Sequence, residues 1–190
     1  MKKIIFITLF VSTLFFTNKA IAQFDYIGGG ILLATGGEYK IEGNPYYNKS
    51  FGINLRASYD YSKKLKIVPA LNIYLPNKES FYTGGESKTT VFTFNLNAHY
   101  ILNSRSRDNY KVYILAGAHV GGWSIKDDHE ESFGAGASLD INEFKIAPGA
   151  NVGGGMQFHL GNRTMFFAEV KYVIAQTNQL VFNPGLLYEF

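Results

Sequence analysis

Residues 51–62 read FGINLRASYDYS. Phe51, Ile53, Leu55, Ala57, Tyr59 and Tyr61 alternate with Gly52, Asn54, Arg56, Ser58 and Asp60. Successive side chains of a strand point to opposite faces, so this alternation predicts an extended segment with one oily and one polar face. Which face meets which solvent decides the fold. A soluble sandwich or barrel buries its oily face, whereas a barrel in a bilayer turns that face out to hydrocarbon.

Outward from this stretch the pattern recurs. Strands are expected over residues 24–35, 51–62, 65–75, 91–102, 110–124, 145–160, 164–176 and 179–190. Eight segments of roughly ten residues or more suit an eight-stranded antiparallel up-and-down transmembrane β-barrel, an all-β fold. The links at 62–64, 103–109 and 161–163 are compact and polar, while those at 36–49, 76–90 and 126–144 are long. The last link, 177–178, is short and breaks the pattern. Short turns at one rim and long loops at the other are the habit of outer-membrane barrels.

The chain of 190 residues opens MKKIIFITLFVSTLFFTNKAIAQ. Lys2 and Lys3 make a basic start, residues 4–16 an apolar run, and Ala20-Ile21-Ala22 a small-x-small cleavage site. This predicts a cleaved signal peptide over residues 1–22 and a mature barrel domain over 23–190. Lys2, Lys3 and Lys19 leave with the leader, so a formal charge of +3 becomes neutral. A neutral mature chain has no basic excess for nucleic acid. It has no cysteine, which excludes a disulfide-stapled secreted fold and Cys-ligated metal. No mature segment is apolar over the length of a spanning helix, so entry into a bilayer requires a closed barrel.

Composition decides between the two solvents. Charged residues make up 17% of the chain, against about a quarter in soluble domains. The polar faces are built mainly of Asn, Ser, Thr, Gly and His, side chains that fit the narrow interior of eight strands. Aromatic residues collect at the short-turn rim: Phe24, Tyr26, Tyr59, Tyr61, Tyr100, Tyr110, Phe166, Tyr188 and Phe190. Of these, Tyr59, Tyr61, Tyr100, Tyr110, Tyr188 and Phe190 are expected to form a girdle at a lipid–water interface. The oily side is therefore expected to face lipid.

The chain ends GLLYEF. With Phe190 terminal and a second aromatic at Tyr188, this resembles the C-terminal assembly signal of bacterial outer-membrane proteins. Together with the leader and the alternating strands, the mature chain resembles small OmpA/OmpX-like barrels and the outer-membrane β-barrel domain family. The resemblance implies export to the outer membrane of a Gram-negative cell and contact with outer-membrane lipids and lipopolysaccharide. It also implies recognition of Phe190 by the barrel-assembly machinery. It brings no catalytic motif and no cofactor.

Pro69, Pro148 and Pro184 fall inside expected strands, where each removes a ladder donor. Bulges or displaced strand ends account for them most simply. Lipid A palmitoyltransferases, which this wall resembles in that respect, use prolines to weaken pairing and admit lipid sideways. The inward polar candidates are Asp25, Arg56, Asp60, His99, His119, Gln157, His159, Glu169, Lys171 and Glu189. Among them Arg56, Asp60, His99, His119, Glu169 and Lys171 are expected to form a lumen network. Buried charges need partners, so a salt-bridged plug is preferred to a narrow porin-like channel. His99, His119 and His159 lie on different strands without ligand spacing, so no metal is expected.

The run Lys126-Asp127-Asp128-His129-Glu130-Glu131 reads as a solvated loop tip. The glycine triplets at 28–30 and 153–155 lack a following Lys-Ser/Thr and serve curvature rather than phosphate. Lipid A deacylases resemble this fold but carry His-x-Ser, and none of the four histidines has Ser two residues on. A palmitoyltransferase-like set would need His129, Asp127 and Ser132. The expectation is a non-enzymatic barrel whose loops, 39–49, 77–89 and 126–144, contact an extracellular partner. A channel is the alternative, and a lipid A-modifying enzyme a more distant one.

Overall fold

A computed structural model describes residues 24–35, 40–41, 44–45, 49–80, 86–103, 109–129, 139–176 and 178–190. The leader and its cleavage site, and Ser132, lie outside these residues. The strands are β1 (Tyr26–Thr35), β2 (Lys40–Ile41), β3 (Asn44–Pro45), β4 (Lys49–Asp60), β5 (Leu65–Tyr74) and β6 (Asn77–Ser80). They continue with β7 (Glu86–Ile101), β8 (Tyr110–His129), β9 (Leu139–His159), β10 (Thr164–Ile174) and β11 (Gln179–Glu189).

Eight of them close a barrel. Each pairs antiparallel with its neighbour in the order β1-β4-β5-β7-β8-β9-β10-β11, and β11 returns to β1. β2 and β3 form a separate two-stranded ribbon, and β6 adds to the upper part of β7 through Asn77↔Thr89 to Ser80↔Glu86.

The opening stretch keeps its alternation in three dimensions. Phe51, Ile53 and Leu55 are each more than half exposed, while Asn54 and Arg56 are buried. On β7 Phe92, Phe94 and Leu96 are likewise exposed, while Thr93, Asn95 and Asn97 are buried. Along β4 the oily face runs from Tyr59 to Phe51. That is about 20 Å of membrane normal for strands rising about 3.3 Å per residue at a tilt near 40°, most of an outer-membrane barrel's apolar band of about 25 Å. An apolar outside and a polar inside is a transmembrane barrel. Pairing every backbone group around a ring is what lets strands cross lipid.

Three expectations are corrected. The links at 76–90 and 126–144 are not wholly loops: β6, β7, β8 and β9 run through most of them, paired as far as His129↔Leu139. Lys126 to His129 therefore continue a strand rather than cap a loop. Tyr26, placed with the rim aromatics, faces inward and is 6% exposed.

Nor are there bulges at Pro69 or Pro184. β4 and β5 hold one register from Arg56↔Ala70 to Tyr59↔Ile67, with Ala57 and Ser58 left unpaired between them. β1 and β11 hold one register from Gly30↔Gly185 to Leu33↔Phe182, again with two positions skipped. No residue is inserted; the ladder lapses beside each proline, which has no N–H to give. Pro148 sits where β9 leaves β10 behind, two residues outside the last pair Ile174↔Ala150.

Inside, the polar residues lie between apolar layers. Toward the long-loop end Leu32, Tyr74, Val91, Trp123, Val173 and Val181 pack as one buried cluster. Toward the short-turn end Tyr26, Met165, Phe167 and Leu187 form another, and Ile101, Tyr113 and Leu115 a third. Glycines make the space. A Cβ on Gly155 would lie 2.6 Å from the Tyr113 hydroxyl, and one on Gly185 would lie 2.6 Å from the Phe167 ring.

Candidate functional site

The lumen's centre is Glu169, contributed by β10 and wholly buried. Lys171 lies two residues on and so points the same way. Opposite this pair β9 places Gly155 and Gly153, whose missing side chains admit the long charged ones. Arg56 crosses from β4 to meet Glu169 end-on, Nη1 to Oε2 at 2.9 Å and Nη2 to Oε1 at 3.3 Å. This two-pronged pairing is the strong form of an Arg–carboxylate contact. The guanidinium also lies 4.1 Å from the centroid of the Phe167 ring.

Three more groups converge on the carboxylate. The Tyr113 hydroxyl donates to Oε2 at 3.2 Å. His99 stacks on the Tyr113 ring at 4.4 Å and brings Nε2 to 3.7 Å from Oε2. Lys171 Nζ stands 4.0 Å from Oε1.

An amide ladder extends this cluster across the barrel. Arg56 Nε donates to Asn54 at 2.7 Å, Asn54 to Asn72 at 2.6 Å, and Asn72 to Thr93 at 3.0 Å. Asn95 also donates to Thr93, and its Oδ1 meets His119 Nδ1 at 2.8 Å and accepts from Asn151 at 2.9 Å. Asn151 donates in addition to Asn97 at 2.9 Å. On β11 Asn183 accepts from Arg56 Nη2 at 2.6 Å and donates to the Ile31 carbonyl at 3.1 Å, in the amide orientation that satisfies both groups.

Five of the six network candidates are thus linked: Arg56, His99, His119, Glu169 and Lys171. Asp60 is not among them. It is partly exposed near the short-turn rim, where it binds Lys66 Nζ at 2.7 Å, and its backbone N–H donates to Asp25 at 2.6 Å. Lys66 in turn lies 4.3 Å over the Tyr26 ring. Asp25 and His159 are exposed at that rim, and Glu189 is half-buried. Asp25 precedes β1, whereas His159 and Glu189 end β9 and β11 paired with the inward Met165 and Tyr26, so they keep inward parity but stand at the open end of the barrel. Gln157 is buried in the lumen.

Sequence reasoning missed Tyr113, Phe167, Lys66, Tyr26 and the apolar cap around Trp123. Parity opposite to the outward Ile67 and Ile114 was the available signal for Lys66, Tyr113 and Trp123. Chemically the centre is a strut: both Glu169 oxygens are occupied by donors. Among the described residues no group of three metal-ligating side chains comes together. Outside, Tyr59, Tyr61, Tyr100, Tyr110, Tyr188 and Phe190 all lie more than a third exposed near the short turns. Tyr188 and Phe190 meet edge to face at 6.1 Å.

No protein-family model matches the chain, and no curated protein matches it. Solved structures do. Ail, the attachment invasion locus protein of Yersinia pestis, in complex with the heparin analogue sucrose octasulfate, aligns with a TM-score of 0.60 at 15% identity over 87% of this chain and 97% of that one. Neisserial surface protein A aligns at 0.59 and 15% identity over 87% and 96% of the two chains. The outer membrane protein OprG of Pseudomonas aeruginosa aligns at 0.58 and 12% identity over 88% and 96%. With its apolar outer wall, the chain has the fold of these small eight-stranded outer-membrane barrels.

Proposed function

We propose that the protein is a non-catalytic outer-membrane barrel that presents β7, β8 and β9 above the bilayer as a surface for an extracellular partner. One observation carries this reading. Residues 139–149 of β9 pair with β8 on one side, and among the described residues no strand pairs with them on the other, because β10 stops at Ile174↔Ala150. An unpaired strand edge offers its N–H and C=O groups to an added strand, and peptide segments dock to sheets in this way. Pro148 at the foot of that edge, which lacks a donor, limits how far an added strand can run down toward the membrane.

Charge narrows the partner. Residues 126–145 carry Lys126 and Lys145 against Asp127, Asp128, Glu130, Glu131, Asp140 and Glu143. That excess of negative charge repels a sulfated sugar of the kind bound by Ail, and favours a neutral or basic polypeptide. The lipid contacts of the outer wall, the girdle at the short-turn rim and recognition of Phe190 during assembly belong to the same proposal.

The test replaces residues 126–144 with a tight turn and compares binding to host-matrix proteins and to basic peptides. Binding is expected to be lost while the heat-modifiable gel shift of the folded barrel persists. Unchanged binding by the shortened, folded barrel overturns the reading.

A further inference from the structure

The two lapsed ladders are not equivalent. Beside Pro184 the Asn183 side chain donates to the Ile31 carbonyl, so an amide from the lumen replaces the proline's missing N–H. Beside Pro69 no side chain among the described residues takes that role. The β5–β7 ladder continues through Pro69↔Leu96, so the lapse faces β4 alone. Here the outer wall opens into a groove of about 320 Å³, walled by Ile27, Leu55, Ala57, Pro69, Leu71 and Phe94, with Gly28, Arg56 and Ala70 at its floor.

We propose that this groove is a binding site for one acyl chain of a phospholipid from the periplasmic leaflet. Its walls are continuous with the exposed apolar band, since Ile27, Leu55 and Phe94 are each about half exposed or more on the outer face. Hydrocarbon is therefore what reaches it. Depth selects the leaflet, given short turns on the periplasmic side. Ala57 and Leu55 lie two and four residues from Tyr59, about 5 and 10 Å inward of the aromatic rim at about 2.5 Å of normal per residue. The turn directly below joins β4 to β5 and exposes Lys63 and Lys64. They stand about 13 Å below Pro69, at the level of a phospholipid phosphate. The volume is at the small end of ligand pockets, about 300–1,000 Å³, room for part of one chain.

The experiment places the full mature protein in nanodiscs of phosphatidylethanolamine and phosphatidylglycerol, doped with a phospholipid bearing a diazirine in its acyl chain. After irradiation, adducts are mapped by peptide mass spectrometry. Labelling of Leu55, Ala57, Pro69 and Leu71 is expected to exceed that of Met156, Ala168 and Val170 on the opposite wall roughly three-fold or more, a preference of about 0.65 kcal/mol. Pro69→Val, which returns the donor, and Ala57→Leu, which fills the groove, are each expected to bring labelling down to the level of that wall. The heat-modifiable gel shift identifies which variants have folded. Uniform labelling around the barrel overturns the proposal. So do label retained in both folded variants and protein–protein crosslinks at the groove, the last of these marking a second copy as its occupant.

Discussion

Glu169 is held by Arg56, Tyr113, His99 and Lys171 in a space that admits no bulk water, so its loss is felt through what it leaves behind. In Glu169→Ala, Arg56 and Lys171 become unpaired buried cations, and removing one partner of such a pair costs about 3–5 kcal/mol. Guanidinium unfolding from lipid vesicles is expected to register a loss of that size. Joint replacement of Glu169 by Ala and Arg56 by Met is expected to recover part of it. The glycines give a second residue-scale prediction. A Cβ on Gly117 would collide with the Leu96 carbonyl and Asn97, whereas one on Gly161 meets nothing within 4 Å. Gly117→Ala is expected to lower the unfolding midpoint clearly, and Gly161→Ala to leave it nearly unchanged.

At the scale of elements, strand parity made the faces of β4, β5, β7, β10 and β11 legible, because lipid on one side and a crowded lumen on the other impose an alternating demand. The same logic explains what was not legible. Above the bilayer neither face of a strand meets hydrocarbon, so the upper parts of β7, β8 and β9 carry no oily alternation and read as polar loops. At the other rim Asp25 precedes β1, and His159, still paired with Met165, is the last residue of β9, so both are exposed at the open end of the barrel. The network's members were readable from parity, but the convergence of Arg56, Tyr113 and His99 on one carboxylate depends on register between strands far apart in sequence. Pro184 supplies an element-scale prediction. If Asn183 stands in for the absent donor, Asn183→Ala is expected to cost about 1 kcal/mol less in a Pro184→Val background than in the parent. A double-mutant cycle on vesicle-embedded protein measures that difference.

For the whole molecule, apolar clusters lie toward both ends of the polar centre. Leu32, Val91, Trp123 and Val181 pack together toward the long-loop end, and Met165, Phe167 and Leu187 toward the other. Planar-bilayer recordings of the refolded barrel are therefore expected to show no reproducible conductance steps, and regular steps would reinstate the channel. Trp123, the single tryptophan, reports the same arrangement optically. It is 6% exposed and points inward, so brominated lipids are expected to quench its fluorescence weakly. Strong quenching would mean that the strand faces are reversed.

Among the described residues the barrel strands β7, β8 and β9, with β6 beside β7, run further beyond the membrane band than β1, β4 and β11. The cylinder therefore has a front and a back in the plane of the membrane. In a crowded surface layer, neighbours arriving at the β8–β9 side meet an upright sheet edge. Lateral packing against that edge is thus directional.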